Sequence, residues 1–297
     1  MSLTGVVDAL PILDYIKDPA PDPSLSASIA HLLLTKSAKH AWLAHPRLNV
    51  HWEPDASAAS EIGTIAHAML LEGDESRVVI IDADDYRTKV AQAKRDEARA
   101  TGKLPILAAR MDDVRAMVVE ARVAVARSEL RGLLDGGRME TTLIWQEGGA
   151  WCRCRPDIIN EGLGVLVDYK STGGSAEPDA WSRGPLLGNG YDLQGAMQRR
   201  GAAALLGGDD WGVVYMVQET DPPYAVSFVG LDSQFTIFAD AKLDAALATW
   251  RTCLATNEWP AYPERICWAS PPEYAVYRFG ERVAMMPDTG EGTVEDL

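Results

Sequence analysis

Asp157, Asp168 and Lys170 are the residues whose types and spacing most plainly permit chemistry in this chain. Trp151 to Arg155 reads as a strand leading through Pro156 into Asp157, and Gly164-Val165-Leu166-Val167 leads into Asp168-Tyr169-Lys170. The 11 positions between the aspartates suffice for a hairpin-like return that sets both at one sheet edge. Alternate side chains of a strand share a face, so Asp168 and Lys170 point one way and Tyr169 the other. Two carboxylates and an ammonium on one face suit a divalent metal and a negatively charged substrate. Mg²⁺ takes oxygen ligands, commonly one or two carboxylates, with water and phosphate oxygens completing the shell. Such an ion polarises a phosphoryl oxygen, acidifies water and stabilises a leaving oxygen. A lysine beside it can orient the attacking water or neutralise charge developing on phosphate, and its pKa can fall when crowded. Asp-x-Lys alone is equally a surface ion pair at a strand end. Yet the chain uses 20 Arg and only 8 Lys, and from Leu104 onward the only lysines are Lys170 and Lys242.

Other candidates sit on neighbouring predicted elements. Ile62, Ile65, Ala66, Met69 and Leu70 follow the spacing of a buried helical stripe. Gly63 and His67 face together at its edge, so His67 is either a half-buried hydrogen-bonded histidine or a metal ligand. The other histidines, at 31, 40, 45 and 51, read as surface or capping residues. Glu140 begins a predicted strand to Gln146, joined to the Ala150–Asp157 strand through the turn Glu147-Gly148-Gly149. Its carboxylate can reach a second metal or stand in solvent. Tyr191, Gln194 and Gln198 form one polar stripe on a helix, and Arg199 and Arg200 offer donors for phosphates.

The ordered set Gly63-x-x-x-His67, Pro156-Asp157, Asp168-Tyr169-Lys170 and Tyr191-x-x-Gln194 resembles the PD-(D/E)xK nuclease superfamily, RecB-like branch. Ser24 to Ser28, Leu32-Leu33-Leu34, Trp42 and the stretch from Trp151 to Thr172 resemble the RecE (exodeoxyribonuclease VIII) type of phage recombination exonuclease. The resemblance covers roughly residues 24 to 230. It implies metal ligation by Asp157, Asp168, the Tyr169 carbonyl and His67, with Lys170 catalytic. Gln194 is implied to touch a DNA end or the attacking water. Arg155, Tyr191, Gln194 and Gln198 are the expected DNA contacts, and Glu140 a further metal ligand. The RecB-like pattern often carries a Tyr where Gln198 stands, and Tyr191 can supply that aromatic. The implied activity is Mg²⁺-dependent (Mn²⁺ able to substitute) hydrolysis of linear duplex DNA from an end, 5′ to 3′. A homo-oligomeric ring and a single-strand annealing partner are implied with it. The alternatives are a RecB-like nuclease for single strands or flaps, and an inert DNA-binding or DNA-mimic protein.

The formal charge of −15 argues against nucleic acid as a partner. Net charge governs solubility and long-range steering rather than a local groove. Lys36, Lys39, Arg47, Arg153, Arg155, Arg183, Arg199 and Arg200 are the candidates for a cationic lining. This picture predicts weak binding to DNA without an end, and steep salt sensitivity. Cys152, Cys154, Cys253 and Cys267 lack the Cys-x₂-Cys spacing of cluster ligands, so they read as reduced core thiols and no iron–sulfur cluster is expected. No apolar run approaches the ~20 residues that span a bilayer, and no signal segment opens the chain. A cytoplasmic protein of a bacterial cell, or a phage product expressed there, is expected.

The elements that must position these groups form an α/β fold, with a central mixed sheet flanked by helices and a helical N-terminal region. Residues 1–23 read as an arm, 24–282 as one exonuclease domain with a helical insertion at 84–135, and 283–297 as an acidic tail. Helices are expected near 26–45, 56–72, 84–100 (capped by Asp84), 110–134, 191–206 and 233–256. A short strand at 77–81, three strands over 139–170, and two more at 211–218 and 224–230 complete the set. The tail carries Asp288, Glu291, Glu295 and Asp296; it reads as a solvated segment or a docking peptide.

Overall fold

The computed structural model describes residues 2–54, 61–73 and 75–284. The chain divides into two units, 1–261 and 262–297. In the first, β1 (Gly5–Val7), α1 (Ile12–Ile16), α2 (Ala27–Thr35), α3 (Ala38–Ala44) and α4 (Glu61–Leu71) come first. Next are β2 (Val78–Ile81), α5 (Lys89–Ala100), β3 (Leu104–Leu107), α6 (Ala108–Arg127) and α7 (Leu133–Gly136). The strands β4 (Arg138–Met139), β5 (Thr142–Glu147), β6 (Ala150–Cys154), β7 (Ile158–Asn160) and β8 (Val165–Thr172) follow. Then come α8 (Pro178–Arg183), α9 (Pro185–Gly188), α10 (Tyr191–Leu206), β9 (Gly212–Glu219), β10 (Val226–Gly230) and α11 (Ser233–Thr256). The second unit carries α12 (Glu273–Ala284), on which Tyr274, Tyr277 and Phe279 are exposed.

The main sheet has the order β10-β9-β8-β7-β4. β8 runs parallel to β9, which requires a crossover, and α8, α9 and α10 supply it. β7 and β8 are antiparallel, with Ile158 opposite Val167. A second sheet holds β1-β5-β6, and β2 pairs with β3 in parallel. The β5–β6 hairpin turns on Gly148 and Gly149, both at positive φ, in the two-residue loop that favours glycine.

β8 separates two cores. Leu166 packs with Tyr215, Val217 and the buried faces of α10 and α11. Val167 and Tyr169 pack with Ile65, Met69, Val114 and Met117 of α4 and α6. Asp168 and Lys170 therefore lie on the α10 face, as strand alternation requires.

Several expectations are corrected. Within residues 1–23, expected as an arm, β1 pairs with β5. The 84–135 segment is not purely helical: β3 lies within it, and Met117 and Val118 of α6 belong to the core. Thr88, not Asp84, caps the charged helix, accepting the Ala91 N–H. The 139–170 region holds parts of five strands, and residue 262 opens a second unit inside the span expected as one domain. The start of the helix expected near 56, and the tail acids from Asp288 to Asp296, lie outside the described residues.

Candidate metal centre and catalytic site

The site forms where the chain changes sheets. β6 ends at Cys154 and β7 starts at Ile158, so Arg155-Pro156-Asp157 bridges two sheets. Pro156 has no N–H for a ladder, which suits a break. Beyond Val167, β8 has no β7 partner and its edge is open. Asp157 fills that edge: its Oδ2 accepts the Tyr169 N–H at 2.8 Å.

Helix α4 is held by Ile65, Ala66, Met69 and Leu70, all buried. This fixes His67 at the helix edge. Its Nε2 lies 3.2 Å from Asp157 Oδ2 and 3.3 Å from Glu140 Oε1. One ligand atom from each of these three residues lies within 4.8 Å of the others. Glu140 is not in a strand as expected. It sits between β4 and β5 at φ 52°, where its N–H donates to the Asp157 carbonyl at 2.9 Å. That turn aims its carboxylate at His67.

On the α10 face, Asp168 is 1% exposed. Its Oδ1 stands 3.6 Å from Lys170 Nζ, and its Oδ2 accepts from the Gln198 amide. The Asp157 and Asp168 carboxylates lie within hydrogen-bonding reach of each other. Lys170 Nζ lies 4.9 Å from the centroid of the Tyr191 ring, which stacks on Trp181 at 5.6 Å. A cation over an aromatic face is attracted by the ring's negative centre.

The electrostatics separate the two aspartates. Burial pushes Asp168 up to about 7, the Asp157 charge adds to this, and Lys170 and Gln198 oppose it. Burial also disfavours ionised Asp157, but His67, Lys170 and the Tyr169 N–H outweigh it and hold this carboxyl below its usual range. Burial raises Glu140, and the Asp157 charge raises it further. Burial alone would lower His67, but Asp157 and Glu140 raise it. Burial likewise opposes the Lys170 charge, yet Asp168 and Asp157 raise its pKa. A lysine's pKa can fall when crowded by cations or apolar groups, but here the crowding groups are anions.

The structure brings His67, Glu140, Asp157, Asp168, Lys170 and Tyr191 together. Two expected DNA contacts, Gln198 and Arg155, read differently. Gln198 is 1% exposed and bonded to Asp168, so it does not face solvent. Arg155 donates to Glu140 Oε2 at 2.5 Å and to the Leu10 carbonyl at 2.6 Å, so it is not a free phosphate donor. Gln194 is half-buried on α10, one turn beyond Tyr191. Much of the expected cationic lining is also engaged. Arg199 and Arg200 bind Asp240, and Arg200 also binds Glu147 and Asp244. Arg153 is buried against Asp18 and Ser24, and Arg47 donates to the Ala20 and Pro21 carbonyls. Arg183 pairs with Asp179, whereas Lys36 and Lys39 are exposed. His45 is not a surface residue: it is buried 3.3 Å from Asp18. Cys152, Cys154 and Cys253 are buried, but Cys267 is exposed rather than in a core. Sequence reasoning missed the inward turn of Gln198, although its i+7 spacing from Tyr191 placed both on the face toward β8.

A mixed sheet between helical layers, with a Pro-Asp, an Asp-x-Lys and a helical histidine converging at one strand edge, is the core of the PD-(D/E)xK class. A family model described as a PDDEXK-like domain of unknown function (DUF3799) matches residues 29–269. The chain belongs to this family. A solved structure of a "Putative exonuclease" from Eubacterium rectale aligns with a TM-score of 0.53 at 15% identity, covering 86% of this chain and 92% of that one. At that identity the likeness shows the fold. A phage related exonuclease from Haemophilus somnus aligns at 12% identity with a TM-score of 0.31, covering 79% of this chain and 96% of that one, and this score carries no argument. No curated protein matches the chain by sequence. Among the described residues, no helix is long and apolar enough to cross a membrane.

The donor set fits a hard divalent ion. It offers carboxylate oxygens from Glu140 and Asp157 beside an imidazole nitrogen. Asp168 Oδ1 is buried and accepts no hydrogen bond, and the Asp168 carboxylate lies within hydrogen-bonding reach of Asp157, a member of the cluster. Carboxylates suit Mg²⁺ or Mn²⁺, and imidazole is well suited to transition metals.

Proposed function

We propose that this protein is a divalent-cation-dependent deoxyribonuclease that hydrolyses linear duplex DNA from an end. The observation that carries the reading is the His67–Glu140–Asp157 cluster beside Asp168 and Lys170. Asp157, Asp168, Glu140 and His67 would hold the ion. The Tyr169 carbonyl leaves β8 on the same edge as its N–H, toward Asp157, so it is a candidate further ligand. Mg²⁺, with Mn²⁺ as a substitute, would supply polarisation of the phosphoryl oxygen and acidification of water.

The chain's own groups do the rest. Lys170 keeps its proton between two aspartates, so it stabilises charge on the phosphate and orients water rather than abstracting a proton. Tyr191 holds that ammonium against its ring. Gln194, half-buried on the same helix, is assigned to the DNA end or the attacking water. His67, Glu140 and Asp157 keep 27%, 16% and 14% of their side-chain surface, which leaves a phosphate access to the cluster.

The RecE-like motif set supports 5′-to-3′ polarity, a ring of identical chains, a role in phage-type recombination and a single-strand annealing partner. End-labelled duplex, covalently closed circles and single strands offered in Mg²⁺ test the substrate. Release of nucleotides from duplex ends, with intact circles, supports the reading. Preferential cutting of single strands or flaps would replace it with a RecB-like nuclease of that specificity.

A further inference from the structure

We propose that Gln198 is a positioning residue that aims Asp168 at the ion, an inference resting on the metal-site reading above. Asp168 is buried, and its side chain has two oxygens in different surroundings. Oδ2 accepts from Gln198 Nε2, while Oδ1 accepts no hydrogen bond and faces Lys170 at 3.6 Å. A side-chain amide is a neutral donor, so it fixes one carboxylate oxygen without cancelling the negative charge the cation needs. A cationic donor there would compete with the ion.

The helix explains why Gln198 can do this. Tyr191 and Gln198 are two turns apart on one face of α10, about 10 Å along its axis. Lys170 and Asp168, two residues apart on β8, are about 7 Å apart. Tyr191 meets Lys170 and Gln198 meets Asp168, so one helix sets both members of the Asp-x-Lys pair. Gln198 is 1% exposed, and its Oε1 accepts no hydrogen bond, so the amide's one described bond is the one to Asp168.

The test is Ca²⁺ titration by calorimetry of the full chain, in wild type and in Gln198→Met, which keeps side-chain length and removes the donor. Mg²⁺ dependence of cleavage is measured in parallel. The expected result is a folded variant whose Ca²⁺ dissociation constant and half-saturating Mg²⁺ rise at least tenfold. Its rate at saturating Mg²⁺ should fall by a smaller factor than its half-saturating Mg²⁺ rises. A folded variant with wild-type Ca²⁺ affinity overturns the inference and leaves the metal-site reading standing. Wild type that binds no Ca²⁺ overturns that reading, and this inference with it. If Gln198→Met does not fold, Gln198→Leu is read in its place. Loss of folding in both assigns Gln198 to the scaffold and overturns the positioning role.

Discussion

His67 Nε2 lies 3.2 Å from Asp157 Oδ2, joining a helix of one layer to the break between two sheets. Neither residue is near the other in sequence, and each is delivered by packing that has no need of the other. The α4 core stripe delivers the imidazole, and the Arg155-Pro156-Asp157 switch delivers the carboxylate. His67→Ala should lower divalent-ion affinity by roughly 10–100-fold, at least the loss typical when a metal site's supporting contacts are removed. The Mg²⁺ dependence of cleavage reads this directly, and an unchanged midpoint would remove His67 from the ligand set.

Lys170→Ala should abolish turnover while leaving Ca²⁺ binding within a few-fold of wild type, because the ammonium acts on the phosphate and water rather than on the ion. Lys170→Arg should recover little, since a planar guanidinium is not a compact charge over the Tyr191 ring. Single-turnover kinetics with pre-bound DNA separate this from a binding defect. Full activity in Lys170→Ala would contradict the assigned role.

The buried aspartate predicts a pH dependence with a definite sign. Asp168 rises to about 7 in the folded protein and returns to about 4 when unfolded. Between those values the native state holds a proton that the unfolded state has lost. Stability of the ion-free protein therefore falls as pH rises through this window. Asp157, held low, contributes in the opposite sense: its stabilisation is present above the ordinary carboxylate range and is lost as pH falls below it. Asp168→Asn should flatten the decline between about pH 4 and 7 in urea-denaturation midpoints. A decline of the same slope in that variant would assign it to another group.

Binding of the ion must displace the Asp168 proton, so apparent Ca²⁺ affinity should rise with pH up to about 7 and level off above it. Calorimetry in buffers of different ionisation enthalpy will count the released proton. Affinity independent of pH from 5 to 8 would contradict ligation by Asp168.

Gly201 of α10 faces Trp145 of β5, and a Cβ there would stand 2.7 Å from the indole ring. Gly201→Ala would gain about 1 kcal/mol of helix propensity elsewhere, but here overpacking costs about 1–3 kcal/mol. The net expectation is a lower denaturation midpoint, checked by urea titration. A raised midpoint would mean that α10 can move off β5.

The legible part of this fold was what periodicity and motif order encode. The α6 and α11 faces, the β5–β6 turn and the β8 alternation follow from local pattern, and so does the pairing of Asp168 with Lys170 on one side. The illegible part came from tertiary partners. Pro105 hid β3, because a proline demotes a strand in sequence yet sits at an edge in a two-stranded pair. Arg155, Arg199 and Arg200 read as phosphate donors because sequence does not reveal that Glu140, Asp240 and Asp244 meet them across the fold. Glu140 reads as a strand residue because local pattern shows neither its positive φ nor the bond from its N–H to the distant Asp157 carbonyl.

The most direct test of the central claim is degradation of end-labelled linear duplex by wild type and Asp157→Ala, in Mg²⁺, in Ca²⁺ and in EDTA. Nucleotide release is predicted for wild type in Mg²⁺ alone, with none from the variant in any condition. Release that persists in EDTA, or survives in Asp157→Ala, would contradict an ion-dependent site at this sheet edge.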